Sequence, residues 1–292
     1  MTTVFLALAS AIGFGVSDFV GGVASRRVTA LRVVIVSYPL SVLLVLAFAP
    51  FVGGEISGES LLWGAASGVG AGLAVWWFYL ALASGPMAVI SPLTAVLVAG
   101  LPVTVGIMLG ERPGAVAYFG IVAALAAVVL VSRESTDGGA GPVIGGRQMR
   151  FSRTVAWLTF GSGVTFAFSF IALGQIPAGT GLWPLAAARG AATAVVWLVA
   201  LCTWQFRPPR GEILRLSVFV AVLDVTANAA FMFALQGGLL SLVSVIGSLY
   251  PAATVLLAMV MLGERVSRIQ VTGMLLALAS VAMIAVAATF VG

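Results

Sequence analysis

The sequence has 292 residues, of which 61% are hydrophobic and only 8% are charged, and its net charge is +5. A soluble domain is about 25% charged, so this composition excludes a water-soluble globular protein and indicates a chain that folds in a lipid bilayer. The chain has no lysine, no histidine and one cysteine, Cys202. We therefore expect no disulfide, no Cys/His metal site, no P-loop nucleotide site and no cofactor.

Ten apolar stretches follow one another along the chain, each close to the ~20 residues that a spanning helix needs. They predict an all-α membrane protein with ten transmembrane helices. The predicted spans 1 to 5 are 3–24, 31–52, 60–83, 86–110 and 114–132, and spans 6 to 10 are 153–174, 181–203, 213–236, 239–262 and 267–290. The polar, glycine-rich segment 133–152 is a linker, so the predicted units are residues 1–132 and 153–292.

The second group of five spans repeats the pattern of the first. Leu-Gly-Glu-Arg occurs at 109–112 and again at 262–265, 153 residues later, and at the same offset Ser91 matches Ser244. Five is an odd number, so the second copy enters the membrane from the opposite side. A duplicated and inverted helical bundle is typical of secondary transporters.

These repeated features resemble the EamA branch of the drug/metabolite transporter superfamily. The resemblance includes the glycine-rich sequence 13–19 in span 1 and Arg32 at the start of span 2. It implies a central cavity surrounded by spans 1, 3, 4, 6, 8 and 9, with spans 5 and 10 at the periphery. It also implies export of amino acids or similar small metabolites, as in the aromatic amino acid exporter of the superfamily, from the bacterial plasma membrane. Export of another metabolite or a drug is the alternative.

Two acidic side chains lie inside the predicted spans. Asp224 is near the middle of span 8 with Asn228 one turn later, and Asp18 follows Ser17 in span 1. A charged group at this depth is costly unless it faces protein or water, so such residues indicate function. We expect these four residues to contact a substrate ammonium group or a proton. The alternatives are a structural hydrogen bond for Asp224 and an interfacial ion pair with an arginine of the next loop for Asp18.

Aromatic side chains are the second group of candidates. The run Trp-Trp-Phe-Tyr at 76–79 covers every face of its helical turn, so one or two of these rings are expected to line the cavity. We assign this role to Trp77 and Tyr79, and to Tyr250 in span 9. Such rings stack on apolar substrates or contact an ammonium group; the alternative is packing towards lipid.

Two prolines are predicted to interrupt spans 4 and 9, after Ser91 and Tyr250. A proline leaves the carbonyl group four residues earlier without its helical donor. In a membrane such carbonyl groups need water, a substrate or a side chain. The candidate polar contacts near the two breaks are Ser91, Thr94, Ser244 and Ser248. The alternative is a kink that only shapes the packing.

Other patterns indicate structural roles. Gly64, Gly68 and Gly72 form a stripe that lets another helix approach closely. The Glu-Arg pair that ends each Leu-Gly-Glu-Arg sequence is interpreted as an interfacial ion pair rather than a gate. Spans 5 and 10 carry hardly any polar residue and are expected to face lipid or a second copy in a homodimer. The arginines lie near helix ends, so no binding of nucleic acid is expected.

The arginines also predict the orientation in the membrane. The end of the predicted bundle that carries neither terminus has the following twelve: Arg26, Arg27, Arg32, Arg133, Arg147, Arg150, Arg153, Arg207, Arg210, Arg215, Arg265 and Arg268. Arg112 and Arg189 are assigned to the other end. Arginine-rich loops stay in the cytoplasm, which places both termini outside, whereas the usual arrangement in the family has both termini inside.

We therefore predict that the linker 133–152 is cytoplasmic. A cysteine introduced there in a Cys202→Ala background should resist a membrane-impermeant thiol reagent in intact cells and react after permeabilisation. A cysteine in the loop between spans 2 and 3 is the control and should react in intact cells. Ready labelling of the linker in intact cells would reverse this orientation.

Overall fold

The computed structural model describes residues 2–25, 27–84, 87–131, 143–144, 147–148, 152–262 and 268–289. Nearly all of these residues are helical. The helices are α1 Thr2–Ser25, α2 Ala30–Val52, α3 Gly58–Ser84, α4 Met87–Met108, α5 Ala115–Val131, α6 Arg153–Gly174, α7 Trp183–Cys202, α8 Glu212–Gly237, α9 Leu240–Gly247, α10 Tyr250–Leu262 and α11 Arg268–Thr289. Two short antiparallel strands, β1 Val143–Ile144 and β2 Arg147–Gln148, lie in the linker.

Within the described residues, six helices are long and apolar enough to cross a membrane: α1, α2, α3, α6, α7 and α8. The shorter apolar stretches lie in α4, α5, α11 and the α9–α10 pair. Predicted spans 1 to 8 and span 10 each correspond to one helix. Span 9 corresponds to two helices, α9 and α10, in line with the interruption predicted for it.

The interruption of span 9 lies at Ser248 and Leu249, just before Tyr250. Pro251 is the second residue of α10, where a helix does not need its amide donor. The predicted break is therefore confirmed at this position. It is wrong for span 4, because α4 runs without interruption from Met87 through Pro92 to Met108.

The two groups of helices, α1–α5 and α6–α11, pack mainly against each other. Helix α1 lies along α8, α3 lies along α6 and α7, and α2 lies along α7 and α8. Helix α4 contacts α6 and α9, while α5 lies along α11. Exchanging each helix for its counterpart in the other group turns the α1–α8 contact into the α6–α3 contact, and both are present. The core of the protein therefore lies between the two groups.

The glycine stripe of α3 brings this helix close to α7. A Cβ atom at Gly64 would strike the main chain of Pro184, and one at Gly68 would strike the main chain of Ala188. Gly72 lies against Val195 in the same way. Small residues are what allow two membrane helices to approach this closely, so the structural interpretation of the stripe is confirmed.

Glu111 connects the two groups, and its predicted ion pair with Arg112 is wrong. Its two carboxylate oxygens accept the main-chain N–H groups of Leu240 and Ser241 at 2.6 and 3.1 Å. Arg112 donates instead to the main-chain carbonyl of Glu111 at 3.2 Å. The first N–H groups of a helix have no partner within that helix, and the helix dipole favours a negative charge there. The corresponding pair Glu264 and Arg265 lies outside the described residues.

We predict that Gly68→Ala destabilises the protein, because the new methyl group meets main-chain atoms of α7 that cannot move aside. The expected loss is about 1–3 kcal/mol, as for overpacked cores, and a lower melting temperature in detergent measures it. Gly100→Ala in α4 is the matched control, because a Cβ atom there meets nothing within 4 Å. The control should melt at or above the wild-type temperature, since alanine favours helix. Equal melting of both variants would contradict the close approach of α3 and α7.

Candidate functional site

A cavity that is partly open to solvent lies between the two groups of helices. Its wall is formed by residues of α1, α2, α3, α4, α6, α7, α8 and α10. The lining residues are Phe14, Asp18, Tyr38, Ala71, Val75, Phe78, Val98, Phe166, Ser169, Phe170, Arg189, Asp224, Asn228 and Tyr250. The spans that the family resemblance implied all contribute, and α2 and α7 contribute as well, through Tyr38 and Arg189.

An ion pair forms the polar wall of the cavity. Nη1 of Arg189 donates to Oδ2 of Asp224 at 2.5 Å. Asn228, one turn further along α8, donates through Nδ2 to Oδ1 of Asp224 at 3.0 Å and to its main-chain oxygen at 2.8 Å. Both carboxylate oxygens of Asp224 therefore have a donor. The structural alternative for Asp224, a hydrogen-bonded anchor, is therefore what the structure shows, with Arg189 and Asn228 as its partners in place of a serine or threonine.

Arg189 lies deep inside the bundle and is 4% exposed. Its guanidinium group lies over the ring of Tyr38, with 5.6 Å between Cζ and the ring centroid. This geometry is that of a cation–π contact. The assignment of Arg189 to one end of the bundle was wrong, because the residue belongs to the interior and to neither membrane face.

Asp18 lines the same cavity as the ion pair but is not part of it. Within the part of the chain that the structure describes, its carboxylate has no salt bridge or hydrogen bond. Arg27, one of the arginines expected to pair with it, pairs instead with Glu212 at 2.7 Å. The other, Arg26, lies outside the described residues.

Aromatic rings form another part of the lining. Phe14 stacks on Phe170 with centroids 6.2 Å apart, and Phe78 meets Phe166 edge to face at 6.0 Å. Tyr250, at the start of α10, also lines the cavity. The cavity thus offers both charged groups and aromatic rings, which suits a molecule that has both characters.

One residue of the aromatic run 76–79 lines the cavity, and it is Phe78. Trp77 and Tyr79 are not among the lining residues. The ring of Trp77 lies against Gly161 of α6, and the buried Tyr79 places its hydroxyl group beside Gly21 of α1. Successive residues of a helix point about 100° apart, so the neighbours of Phe78 face other helices.

Three of the predicted hydroxyl contacts, Thr94, Ser244 and Ser248, are buried in the bundle and are not among the residues that line this cavity. Thr94 lies 3.5 Å from the hydroxyl group of Ser162, and Ser248 donates to the Val245 carbonyl at 2.8 Å. The hydroxyl group of Ser244 has no hydrogen-bond partner among the described residues. Ser17 is also buried, and the side chain of Ser91 lies outside the described residues.

Arg189 and Tyr38 are among the lining residues that the sequence analysis does not predict. A signal for Arg189 was present, because it is the seventh residue of α7 and has apolar neighbours on both sides. The cost of a charge at that depth applies to arginine as it does to aspartate. Tyr38 gives no comparable signal, since tyrosine is common in membrane helices.

The repeat relates cavity-lining positions of α3 and α8. Asp224 and Asn228 of α8 stand 153 residues after Ala71 and Val75 of α3, and all four line the cavity. At these two positions the second copy therefore carries a carboxylate and an amide, while the first copy is apolar.

Comparison with known proteins identifies the family. The family model described as the EamA-like transporter family matches residues 1–133 and again residues 153–286. A solved crystal structure of a protein of unstated function has a TM-score of 0.68 and 20% sequence identity to this chain, covering 94% of this chain and 95% of that one. At this identity the likeness shows the fold alone. No curated protein matches the sequence, so no relative supports the expected resemblance to an aromatic amino acid exporter. The two family matches together span most of the chain, and the protein belongs to the EamA-like transporter family.

Proposed function

We propose that this protein is a secondary transporter that exports amino acids, aromatic or otherwise neutral, by alternating access. Membership of the EamA-like transporter family makes it a transporter of small molecules. The observation that carries the finer proposal is the cavity between the two helix groups, which is lined by an ion pair and by several aromatic rings.

The chemistry of the cavity lining complements a neutral amino acid. A zwitterion presents a carboxylate and an ammonium group at one end, where the cavity has Arg189, Asp224 and Asp18. Its side chain would then lie against the aromatic rings that also line the cavity. Apolar and aromatic side chains pack well against phenylalanine rings.

Alternating access is supported by the relation between the helix groups. We propose that residues 1–132 and 153–292 are two inverted five-span repeats joined by the linker 133–152. The repeated sequences, the two separate family matches and the exchangeable helix contacts all support this arrangement. In such transporters one half rocks against the other around a site near the middle of the membrane.

Energy for export would come from the substrate gradient or from exchange for protons. Asp18 is the acid that we assign to an ammonium group or a coupling proton. Asp224 is engaged by Arg189 and Asn228, whereas Asp18 has no ion-pair partner among the described residues. We place the protein in the bacterial plasma membrane, where the exposed faces of α5 and α11 meet lipid or a second copy of the chain.

Three alternatives differ in chemistry. The first is another small metabolite or a drug as cargo, carried by the same mechanism. The second is a channel, which would need a continuous polar lining; the aromatic rings argue against it. The third is an intramembrane enzyme, and family membership favours transport over catalysis.

We predict that purified protein in liposomes exchanges a labelled neutral amino acid for the same unlabelled compound, with saturation. Cells that carry the protein should also tolerate toxic amino acid analogues better than cells without it. Asp18→Asn is expected to lower transport about tenfold or more, because an uncharged amide cannot carry a proton or balance an ammonium group. Glu59→Gln, which changes an exposed carboxylate at the start of α3, is the matched control and should transport normally.

Each alternative has its own outcome in these measurements. Flux that does not saturate or exchange would indicate a channel. Saturable exchange of other metabolites, with none for any amino acid, would refute the amino acid as cargo while retaining transport. Full activity of Asp18→Asn with an unchanged dependence on pH would remove Asp18 from the site.

A further inference from the structure

We infer that Arg189 is an anion subsite, which binds the carboxylate of the transported molecule and is occupied by Asp224 while the cavity is empty. This rests on the proposed transport function and assigns one side chain to the acid group of the substrate. The carboxylate of the substrate would thus replace that of Asp224 as the partner of Arg189.

The Arg189 guanidinium group has unused hydrogen-bonding capacity. It carries five N–H donors in one plane. Nη1 donates to Asp224, and the planar face lies over Tyr38. Nε is buried and has no hydrogen-bond partner among the described residues. Buried donors are nearly always paired, and Arg189 lines the cavity. The Nε atom is closed off in this conformation, so an acceptor in the cavity reaches it when the guanidinium group turns away from Asp224.

Asp224 binds Arg189 through one carboxylate oxygen only. Arginine binds a carboxylate most strongly through two parallel N–H bonds. Here the carboxylate of Asp224 is divided, with Oδ2 on Arg189 and Oδ1 on Asn228. Asn228 therefore holds Asp224 when Arg189 turns to another acid, and the displaced carboxylate keeps a donor.

The charges in the cavity select the class of ligand. The charged lining residues are two acids, Asp18 and Asp224, and one base, Arg189. A simple anion would add a third negative charge against one positive charge. A zwitterion brings an ammonium group for Asp18 together with a carboxylate for Arg189. The ligand is therefore a molecule with a carboxylate beside an ammonium group and an apolar remainder.

The test compares ligands that differ only in the acid group. L-phenylalanine and L-leucine are measured against L-phenylalaninamide and L-leucinamide, and 3-phenylpropionate against its amide, by binding to the purified protein. The wild type should bind each amino acid at least tenfold more tightly than its amide. Arg189→Gln should remove this preference while binding the amides as the wild type does. Arg207→Gln, an exposed loop arginine, is the matched control and should keep the preference.

The variant Asp224→Asn should have the opposite effect on amino acid binding to that of Arg189→Gln. Asp224→Asn removes the group that competes for Arg189, so the amino acids should bind equally or more tightly. If Asp224 is itself the ammonium site, they bind more weakly, and the assignment of the ammonium group to Asp18 is wrong.

If Arg189→Gln fails to fold, a second variant still tests the anion subsite. Truncating one partner of a buried pair leaves the other charge uncompensated, so the double variant Arg189→Gln/Asp224→Asn removes both charges together. It too should lose the preference for the acid. Equal binding of acids and amides by the wild type overturns the subsite while transport stands. Absence of binding for every carboxylate, alongside transport of other metabolites, overturns both the subsite and the amino acid as cargo.

We further propose, from a separate observation, that Glu111 is a latch between the two helix groups that closes one end of the cavity and opens during transport. Glu111 belongs to the first group, and the N–H groups that it binds begin α9 of the second. All eight residues of α9 are buried. Leu239, the residue just before this helix, provides no side-chain cap.

The latch lies at a joint where separation is feasible. Helix α9 ends at Gly247, and two residues separate it from α10. The carboxylate of Glu111 packs directly against Gly106, where any larger side chain would collide with it. Because a single side chain makes the contact with the start of α9, its loss frees α9 without breaking a covalent or helical connection.

The accessibility of the cavity tests the latch without any substrate. Ala71→Cys, in a Cys202→Ala background, places a thiol in the cavity wall. Its reaction with an impermeant thiol reagent is measured from the side that carries Glu111, identified by labelling of Arg112→Cys. Glu111→Gln should raise the rate from that side about fivefold, within the range that a lost helix cap gives. Glu59→Gln keeps the latch and should leave the rate unchanged.

The result separates a latch from a static cap. An unchanged labelling rate in Glu111→Gln overturns the latch, whether or not the protein transports amino acids. If Glu111→Gln is poorly folded, Glu111→Asp provides the same comparison, since its carboxylate is one methylene too short to span the contact. A uniform rise in labelling from both sides indicates general loosening and also overturns the latch.

Discussion

The ion pair between Arg189 and Asp224 is the constraint on which the arrangement of the cavity depends. A charge inside the membrane is costly, about 2.5–3.5 kcal/mol at a helix centre on insertion scales, so each of the two side chains stabilises the other. Their contact at 2.5 Å bridges α7 and α8, which both lie along α2 and make few direct contacts with each other. Tyr38 and Asn228 then complete the surroundings of the two charges.

The close packing of α3 shapes the apolar part of the cavity lining. The glycine stripe brings α3 against α7, and the same helix presents Ala71, Val75 and Phe78 to the cavity. The break between α9 and α10 places Tyr250 at the start of a helix beside the cavity. The backbone contacts that bring the helix groups together therefore also shape the wall that an apolar group would meet.

The sequence predicted the helices and the intramembrane polar residues well, because both follow from the cost of placing polar groups in lipid. It located Asp18, Asp224, Asn228 and Tyr250, which all line the cavity. Arg189 escaped because it lies near a helix start, and nearness to an end was taken as exposure. Periodicity could not choose among four consecutive aromatic residues. The role of Glu111 depends on a helix that begins 129 residues later, which no local pattern encodes.

The unequal distribution of charge between the two copies of the repeat has an evolutionary consequence. Positions 71 and 75 line the cavity but carry neither charge nor a hydrogen-bonding side chain, while their counterparts in α8 hold the ion pair together. Duplication thus leaves one copy to maintain the costly electrostatic contact and frees the other to vary in size and shape. Related proteins could acquire new cargo through small apolar exchanges in α3 alone, without passing through an intermediate that exposes an unpaired charge to the membrane.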